Sequence, residues 1–154
     1  MKRNELHNTR KTLDEIDKRM DRDTEAIQEI QDLRDDIRTQ EGLDPFSLEE
    51  LDKHLLDGIQ IIQKEQEDET KPELDEIEQE LDTSREQSEG KIMALEHAQE
   101  TLSKLRDLPG MSSLLTEFDQ QHSETAEDLS EIERLDLQLQ YLQLSSKAYE
   151  NLRL

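Results

Sequence analysis

The stretch that decides the fold is residues 6–37, LHNTRKTLDEIDKRMDRDTEAIQEIQDLRDDI. Two series recur in it at every seventh position: Leu6, Leu13, Met20 and Ile27 in the first, and Ile16, Ile30 and Ile37, joined by Thr9 and Asp23, in the second. Apolar residues at two positions of a heptad form one narrow stripe along a helix, as in coiled coils. The pattern predicts a first helix over residues 4–39 with a buried seam that includes Leu13, Ile16, Met20, Ile27 and Ile30. Asp23 and Arg34 are polar residues on this seam.

The composition supports an all-α fold. Hydrophobic residues make up 31% of the chain and charged residues 39%, which is too little apolar material for a thick globular core. The chain has many Leu residues and no Val, whereas strands favour β-branched and aromatic side chains. Leu, Glu, Gln and Lys are good helix formers. We therefore predict one all-α domain over residues 1–154, an elongated helical bundle or antiparallel coiled-coil hairpins of about four helices.

Helix-breaking residues set the predicted boundaries, which give helices near 4–39, 47–69, 72–108 and 113–151. Gly42 and Pro45 end the first helix, and Leu108-Pro109-Gly110 forms a tight turn between the last two. A short turn makes consecutive helices antiparallel neighbours, so the last two should form a hairpin. Capping boxes are predicted at Ser47 with Glu50 and at Thr70 with Glu73. The polar residues 63–72 leave open a frayed loop or one helix kinked at Pro72.

The net charge of −22 is unevenly distributed along the chain. It amounts to −2 over residues 1–40, −14 over 41–110 and −6 over 111–154. Such acidity disfavours binding to nucleic acid or anionic lipid, which relies on Lys and Arg. The absence of Cys excludes disulfides and Cys-based zinc sites. The sequence has neither a secretory signal pattern nor an apolar run long enough to insert into a membrane. We expect a cytoplasmic protein, and export by a signal-peptide-independent pathway is left open.

Catalytic motifs are missing from the sequence. It contains no Gly-rich phosphate loop, no Gly-x-Ser-x-Gly elbow and no Cys nucleophile. Asp119 with His122, and Glu50 with His54, have helical spacing suited to a metal, but a di-iron bundle needs Glu-x-x-His pairs that are not present. We expect no enzymatic activity, no metal or other cofactor and no small-molecule substrate.

The C-terminal half of the fourth predicted helix has apolar stripes on opposite faces. One stripe contains Leu135, Leu139, Leu142 and Tyr149, and the other contains Leu137, Tyr141, Leu144 and Ala148, followed by Leu152. A chain this short can cover one face with its own helices, and a second exposed apolar face commonly marks an interface. The second stripe is therefore the predicted partner-binding site, with Tyr141 as its anchor. In the competing interpretation, the first or second helix of the chain covers this stripe as well.

Two tripeptides give the chain a resemblance to a known family. Leu56-Asp57-Gly58 and Leu108-Pro109-Gly110 are Leu-Xaa-Gly sequences, and the second stands at a predicted hairpin turn. In this respect the chain resembles the Trp-Xaa-Gly and Leu-Xaa-Gly superfamily of bacterial type VII secretion, with its toxin-associated helical partners. The resemblance implies a partner, chaperone or targeting subunit for another helical protein, such as a secreted bacterial toxin. The alternatives are a structural coiled-coil homo-oligomer and an acidic inhibitor that mimics nucleic acid.

Overall fold

The structure is a computed structural model. It describes residues 2–40, 42 and 44–150, and the side chains of residues 4–40, 42 and 44–148. Every regular element within these residues is helical. The elements are α1 (Lys2–Thr39), α2 (Pro45–Glu65), a π-helical segment (Gln66–Thr70), α3 (Lys71–Lys104) and α4 (Met111–Glu150). These residues include no β-strand, which confirms the all-α class.

Helix α1 buries the predicted seam. Leu6, Leu13, Ile16, Met20 and Ile27 are buried, and Ile30 and Ile37 are half-buried. The two polar seam residues have partners. The Arg34 guanidinium donates from Nε and Nη2 to the Asp52 carboxylate, at 2.6 and 3.3 Å, and Asp23 accepts a hydrogen bond from the Gln66 side-chain amide. Both interruptions therefore fix the register of α1 against the residues that follow it.

Helix α2 begins two residues earlier than predicted. Asp44 is its N-cap, and the backbone N–H of Ser47 donates to Asp44 Oδ1 at 2.7 Å. Pro45 occupies the first turn, where its fixed φ suits the helix and its missing N–H has no intrahelical role. The predicted start at Ser47, with a Ser47–Glu50 capping box, is wrong because Asp44 caps the helix instead.

The predicted break near residues 69–72 is absent. The chain passes from α2 to α3 through the π-helical segment, in which the N–H of Lys71 donates to the carbonyl of Gln66. Pro72 follows directly, and in a regular α-helix its ring would clash with the carbonyl four residues earlier. The wider π turn accommodates this without a loop. The frayed loop and the Thr70–Glu73 cap are therefore wrong, and the described residues form three uninterrupted helical stretches rather than four separate helices.

The predicted hairpin between α3 and α4 is confirmed. Residues 105–110 form the turn, where Gly110 has a φ of 85°, a left-handed conformation that favours glycine. The side-chain pairs that connect the two helices include Gln99 with Asp119, Glu96 with His122 at 3.4 Å, and Arg85 with Asp136 at 3.1 Å. As the residue number on α3 falls from 99 to 85, the number of its partner on α4 rises from 119 to 136. The two helices are therefore antiparallel. The two helix ends at the turn differ from the predicted ones: α3 ends four residues earlier, at Lys104, and α4 begins two residues earlier, at Met111.

The chain divides into two compact units. The first comprises Met1–Arg10 with Glu76–Gln138, and the second comprises Lys11–Asp75 with Leu139–Leu154. The first unit buries Leu6, Ile77, Leu81, Leu95, Ile132 and Leu135. The second unit buries Leu13, Ile16, Met20, Ile27, Ile59, Leu74, Leu139 and Leu142. The apolar part of each core thus consists of Leu, Ile and Met from narrow helical stripes. The prediction of one domain over residues 1–154 stays a prediction.

Candidate partner-binding site

The C-terminal part of α4 has two apolar faces that differ completely in burial. On one face, Leu139 and Leu142 have no exposed side-chain surface, and Leu135 is 2% exposed. On the other face, Leu137 is 67% exposed, Tyr141 63% and Leu144 69%, and Ala148 is exposed as well. We call Leu137, Tyr141, Leu144 and Ala148 the apolar row. The side chain of Tyr149 and the whole of Leu152 lie outside the described residues.

Helix geometry alone places these residues in a row. Their spacings of four, three and four residues keep them within a narrow band on a helix of 3.6 residues per turn. Leu135 and Leu137 are two residues apart, about 200° around the helix, and so point in nearly opposite directions. The described helices leave the row exposed, which disagrees with the interpretation that the chain's own first or second helix covers it.

A groove lies beside the row in the second unit. It has a volume of about 300 Å³ and runs between α1 and α4. Its lining consists of Asp17, Met20, Asp21 and Thr24 from α1 and of Tyr141, Leu142, Ser145 and Ala148 from α4. Met20 and Leu142 are buried and form its base, whereas two members of the row, Tyr141 and Ala148, stand at its edge. Within the second unit, Tyr141 and Ala148 therefore belong both to the row and to the lining of the groove.

The two flanks of the row differ in charge within the second unit. On the α1 side, Asp17 is half-buried and Asp21 exposed, and no Lys or Arg is among the described residues that line the groove. On the other side, the exposed Lys147 lines a separate cavity of about 280 Å³ together with Lys71 and Asp75. The row thus has an acidic flank towards α1 and a basic side chain on its opposite flank.

Two of the other exposed apolar residues, Ile61 and Met93, stand alone on their helices. Both are about as exposed as Leu144. Their neighbours four residues away are polar or charged: Asp57 and Glu65 for Ile61, and Glu89 and His97 for Met93. Single exposed apolar residues are common on soluble proteins and need no partner.

The residue pairs with metal-compatible spacing are engaged elsewhere or exposed. Asp119 accepts a hydrogen bond from Gln99, and His122 Nε2 lies 3.4 Å from Glu96 Oε1. Glu50 and His54 are both exposed on α2. Over the side chains that the structure describes, no three His, Asp or Glu residues come together as a metal site. Asp119 and His122 of α4 therefore both contact α3 side chains.

The shifted pKa values belong to ion pairs between helices. A hydrogen bond from Arg34 lowers the pKa of Asp52 below the usual aspartate value. A hydrogen bond to Asp136 raises the pKa of Arg85, and one to Asp52 raises that of Arg34. Each pair joins two helices of one unit, so these shifts reflect packing between helices rather than acid–base chemistry.

The structure places the two Leu-Xaa-Gly tripeptides in different surroundings. Leu56-Asp57-Gly58 lies inside α2, whereas Leu108-Pro109-Gly110 lies in the turn between α3 and α4. Asp17 and Asp21 were not identified from the sequence as part of the site. They lie next to the α1 seam, but the heptad pattern does not say which helix packs beside them.

No helix within the described residues combines the length and the apolarity that are needed to cross a membrane. Comparisons of the chain with protein-family models, with curated proteins and with solved structures found no match.

Proposed function

We propose that this protein is a non-enzymatic interaction factor that binds another helical protein through the apolar row. One observation carries the proposal: three large apolar side chains on one helix face are about two-thirds exposed, while the opposite face of the same helix is fully buried. A contiguous apolar strip on so acidic a protein is characteristic of an interface. An amphipathic helix laid along such a strip is a common mode of recognition.

The energy available from the row sets the strength of binding. Fully burying a Leu side chain is worth about 1.5–3 kcal/mol, so covering Leu137, Tyr141 and Leu144 yields on the order of 3–5 kcal/mol. Association costs about 4–15 kcal/mol in lost translational and rotational freedom. The row alone therefore supports weak binding, and a stable complex needs additional contacts beside it.

The charge of the chain favours a different protein, rather than a second copy of this chain, as the molecule that binds to the apolar row. Two copies that meet through their rows bring together two chains of net charge −22, and like charges oppose association. A partner of lower or opposite charge avoids this repulsion. The resemblance to type VII secretion proteins supports a role as partner, chaperone or targeting subunit for a helical protein such as a secreted bacterial toxin. Long antiparallel hairpins of coiled-coil type would present the row to it.

The experiment compares two double variants that add the same charge. Leu137→Glu with Leu144→Glu changes the row, and Ile61→Glu with Met93→Glu changes two isolated residues of similar exposure. Tagged wild-type and variant chains are used to capture proteins from the cells that naturally produce the chain. Any protein that is captured is purified, tested for helix content by circular dichroism and titrated again with all three chains.

We expect both variants to keep the wild-type melting temperature within a few degrees, since all four positions are exposed. A helical protein should bind the wild type and the Ile61/Met93 variant, and it should lose at least tenfold in affinity for the Leu137/Leu144 variant, by about 1.4 kcal/mol or more. Equal binding by both variants contradicts the proposal. A wild-type dimer that only the row variant dissociates shows instead that a second copy occupies the row. Capture that persists in the row variant but disappears at high salt points to the acidic surface.

A further inference from the structure

The groove beside the row places two carboxylates within reach of a helix bound there. Asp17 and Asp21 both line the groove, whose other edge is formed by Tyr141 and Ala148. The two carboxylates are one helical turn apart, about 5–6 Å between their Cβ atoms. The row from residue 137 to residue 148 extends over about 16 Å, at 1.5 Å per residue. A partner helix of about three turns therefore covers the row and passes both carboxylates.

The two carboxylates are the only charged side chains among the described residues that line the groove. Carboxylates four residues apart on a helix repel each other. The ion pairs found among the described residues include neither Asp17 nor Asp21, and no Lys or Arg lines the groove. A partner that covers the groove removes water from these groups, and burying a charge without a counter-charge is unfavourable. The partner must therefore supply cations at this edge.

We infer that the partner segment is a cationic amphipathic helix: an apolar stripe lies on the row, and Lys or Arg side chains one turn apart on a single flank pair with Asp17 and Asp21. This inference rests on the proposed function and adds the charge pattern of the partner. The other flank of the partner helix faces away from α1 and lies beside Lys147. That flank of the partner therefore carries no basic residues. Reversing the partner helix moves its cations to the Lys147 side, so the charge pattern also fixes the direction in which the helix binds.

The test uses three synthetic peptides of 18 residues, each with one Trp. Because the chain contains no Trp, emission excited at the red edge of Trp absorption reports on the peptide alone. The first peptide has a Leu stripe with Lys on one flank, the second has the same stripe with Glu on that flank, and the third keeps the Lys flank but has Ser in place of Leu. Each is titrated into the full chain at low and at physiological ionic strength.

We expect the Leu/Lys peptide to bind at least about tenfold more tightly than either of the other peptides. Replacing Asp17 and Asp21 together by Asn should weaken its binding by about three- to tenfold. The matched control replaces Glu100 and Glu117 by Gln, two exposed carboxylates of the first unit, and changes the net charge equally. This control should change the affinity by less than about twofold, because neither carboxylate lines the groove and the effect of net charge alone is screened at physiological ionic strength. Circular dichroism checks that both variants fold.

Several results overturn the inference, and they separate it from the proposed function. If the Leu/Lys and Leu/Glu peptides bind equally and both weaken in Leu144→Ser, the row binds a helix and only the cationic requirement is wrong. If the Lys peptides with Leu and with Ser bind equally, and Leu144→Ser has no effect, bulk charge drives binding and both proposals are wrong. Equal weakening by the Asp17/Asp21 and Glu100/Glu117 variants, or no binding of the Leu/Lys peptide up to millimolar concentration, also overturns the inference.

Discussion

Helix α1 and the C-terminal part of α4 are both Leu- and Ile-rich helices, yet they distribute these residues differently. In α1, the heptad positions form one stripe that the second unit largely buries, and most remaining positions are polar and exposed. In α4, apolar residues form two stripes, of which only one is buried. Only 31% of the residues are hydrophobic, and those of the second stripe are exposed and do not contribute to the core. The difference between the helices therefore leaves α4 with an exposed apolar face in addition to its buried one.

The largest expected effect tests the difference between the two faces of α4. Leu139→Asp should lower the free energy of unfolding by more than about 4 kcal/mol, because it places a charge at a fully buried position. Leu144→Asp should change it by less than about 0.5 kcal/mol, because that side chain is exposed. Ile27→Asp in the α1 seam should behave like Leu139→Asp. Urea denaturation followed by circular dichroism measures all three. A large loss for Leu144→Asp would show that both faces of α4 belong to the core.

The next effect concerns the polar positions of the α1 seam. The Arg34–Asp52 pair should contribute about 1–2 kcal/mol near neutral pH, since it is a partly buried, charge-assisted hydrogen bond. The pKa of Asp52 is lowered in the folded chain, so this stability is present above the usual aspartate pKa and is lost as the pH falls below about 4. The difference in unfolding free energy between wild type and Asp52→Asn should therefore shrink from pH 7 to pH 3. Asp57→Asn, at an exposed α2 position, is the control and should show little difference at either pH.

A smaller effect tests how closely α1 packs on α2. Gly90→Ala on exposed α3 surface should stabilise the protein by about 0.5–1 kcal/mol, since Ala is the better helix former and its Cβ would meet nothing within 4 Å. At Gly58 the same Cβ would lie 3.4 Å from Ile30 Cδ1 of the α1 seam. Gly58→Ala should therefore stabilise less than Gly90→Ala in urea denaturation. An equal gain at both positions would mean that α1 and α2 pack more loosely than this distance indicates.

The smallest expected effect is the salt dependence of the melting temperature, which follows from the uneven charge of the segments that contain the two helices. Residues 1–40 carry a net charge of −2, whereas residues 111–154 carry −6 and the segment between them −14. Repulsion within the acidic segments opposes compaction and is screened within about 8 Å at physiological ionic strength. The melting temperature should rise by a few degrees between low and moderate salt. A melting temperature that stays constant would mean that the charges are too dispersed to oppose folding.

The helix ends show where reasoning from residue patterns stops. Asp44 and Ser47 can both cap a helix, and the choice of Asp44 follows from Pro45, which is favourable in a first turn. At Pro72 the residue pattern predicts a break, because proline usually interrupts a helix. The π-helical segment instead carries the chain through, with Gln66 and Thr70 buried and Gln66 bonded to Asp23 of α1. Such a tertiary contact is invisible in the local pattern.

The sequence by itself determined the all-α class, the α1 seam, the α3–α4 hairpin and the two stripes of α4, because each depends on the helical period or on a local turn residue. Only the tertiary structure decided which stripe of α4 is buried, since both have large apolar side chains and the choice depends on the helices packed against them. It also brought Asp17 and Asp21 of α1 to the edge of the groove at Tyr141. More than 110 positions separate these residues along the chain. No periodicity within one helix specifies which other helix lies beside it, because that choice is made by the packing of the whole core.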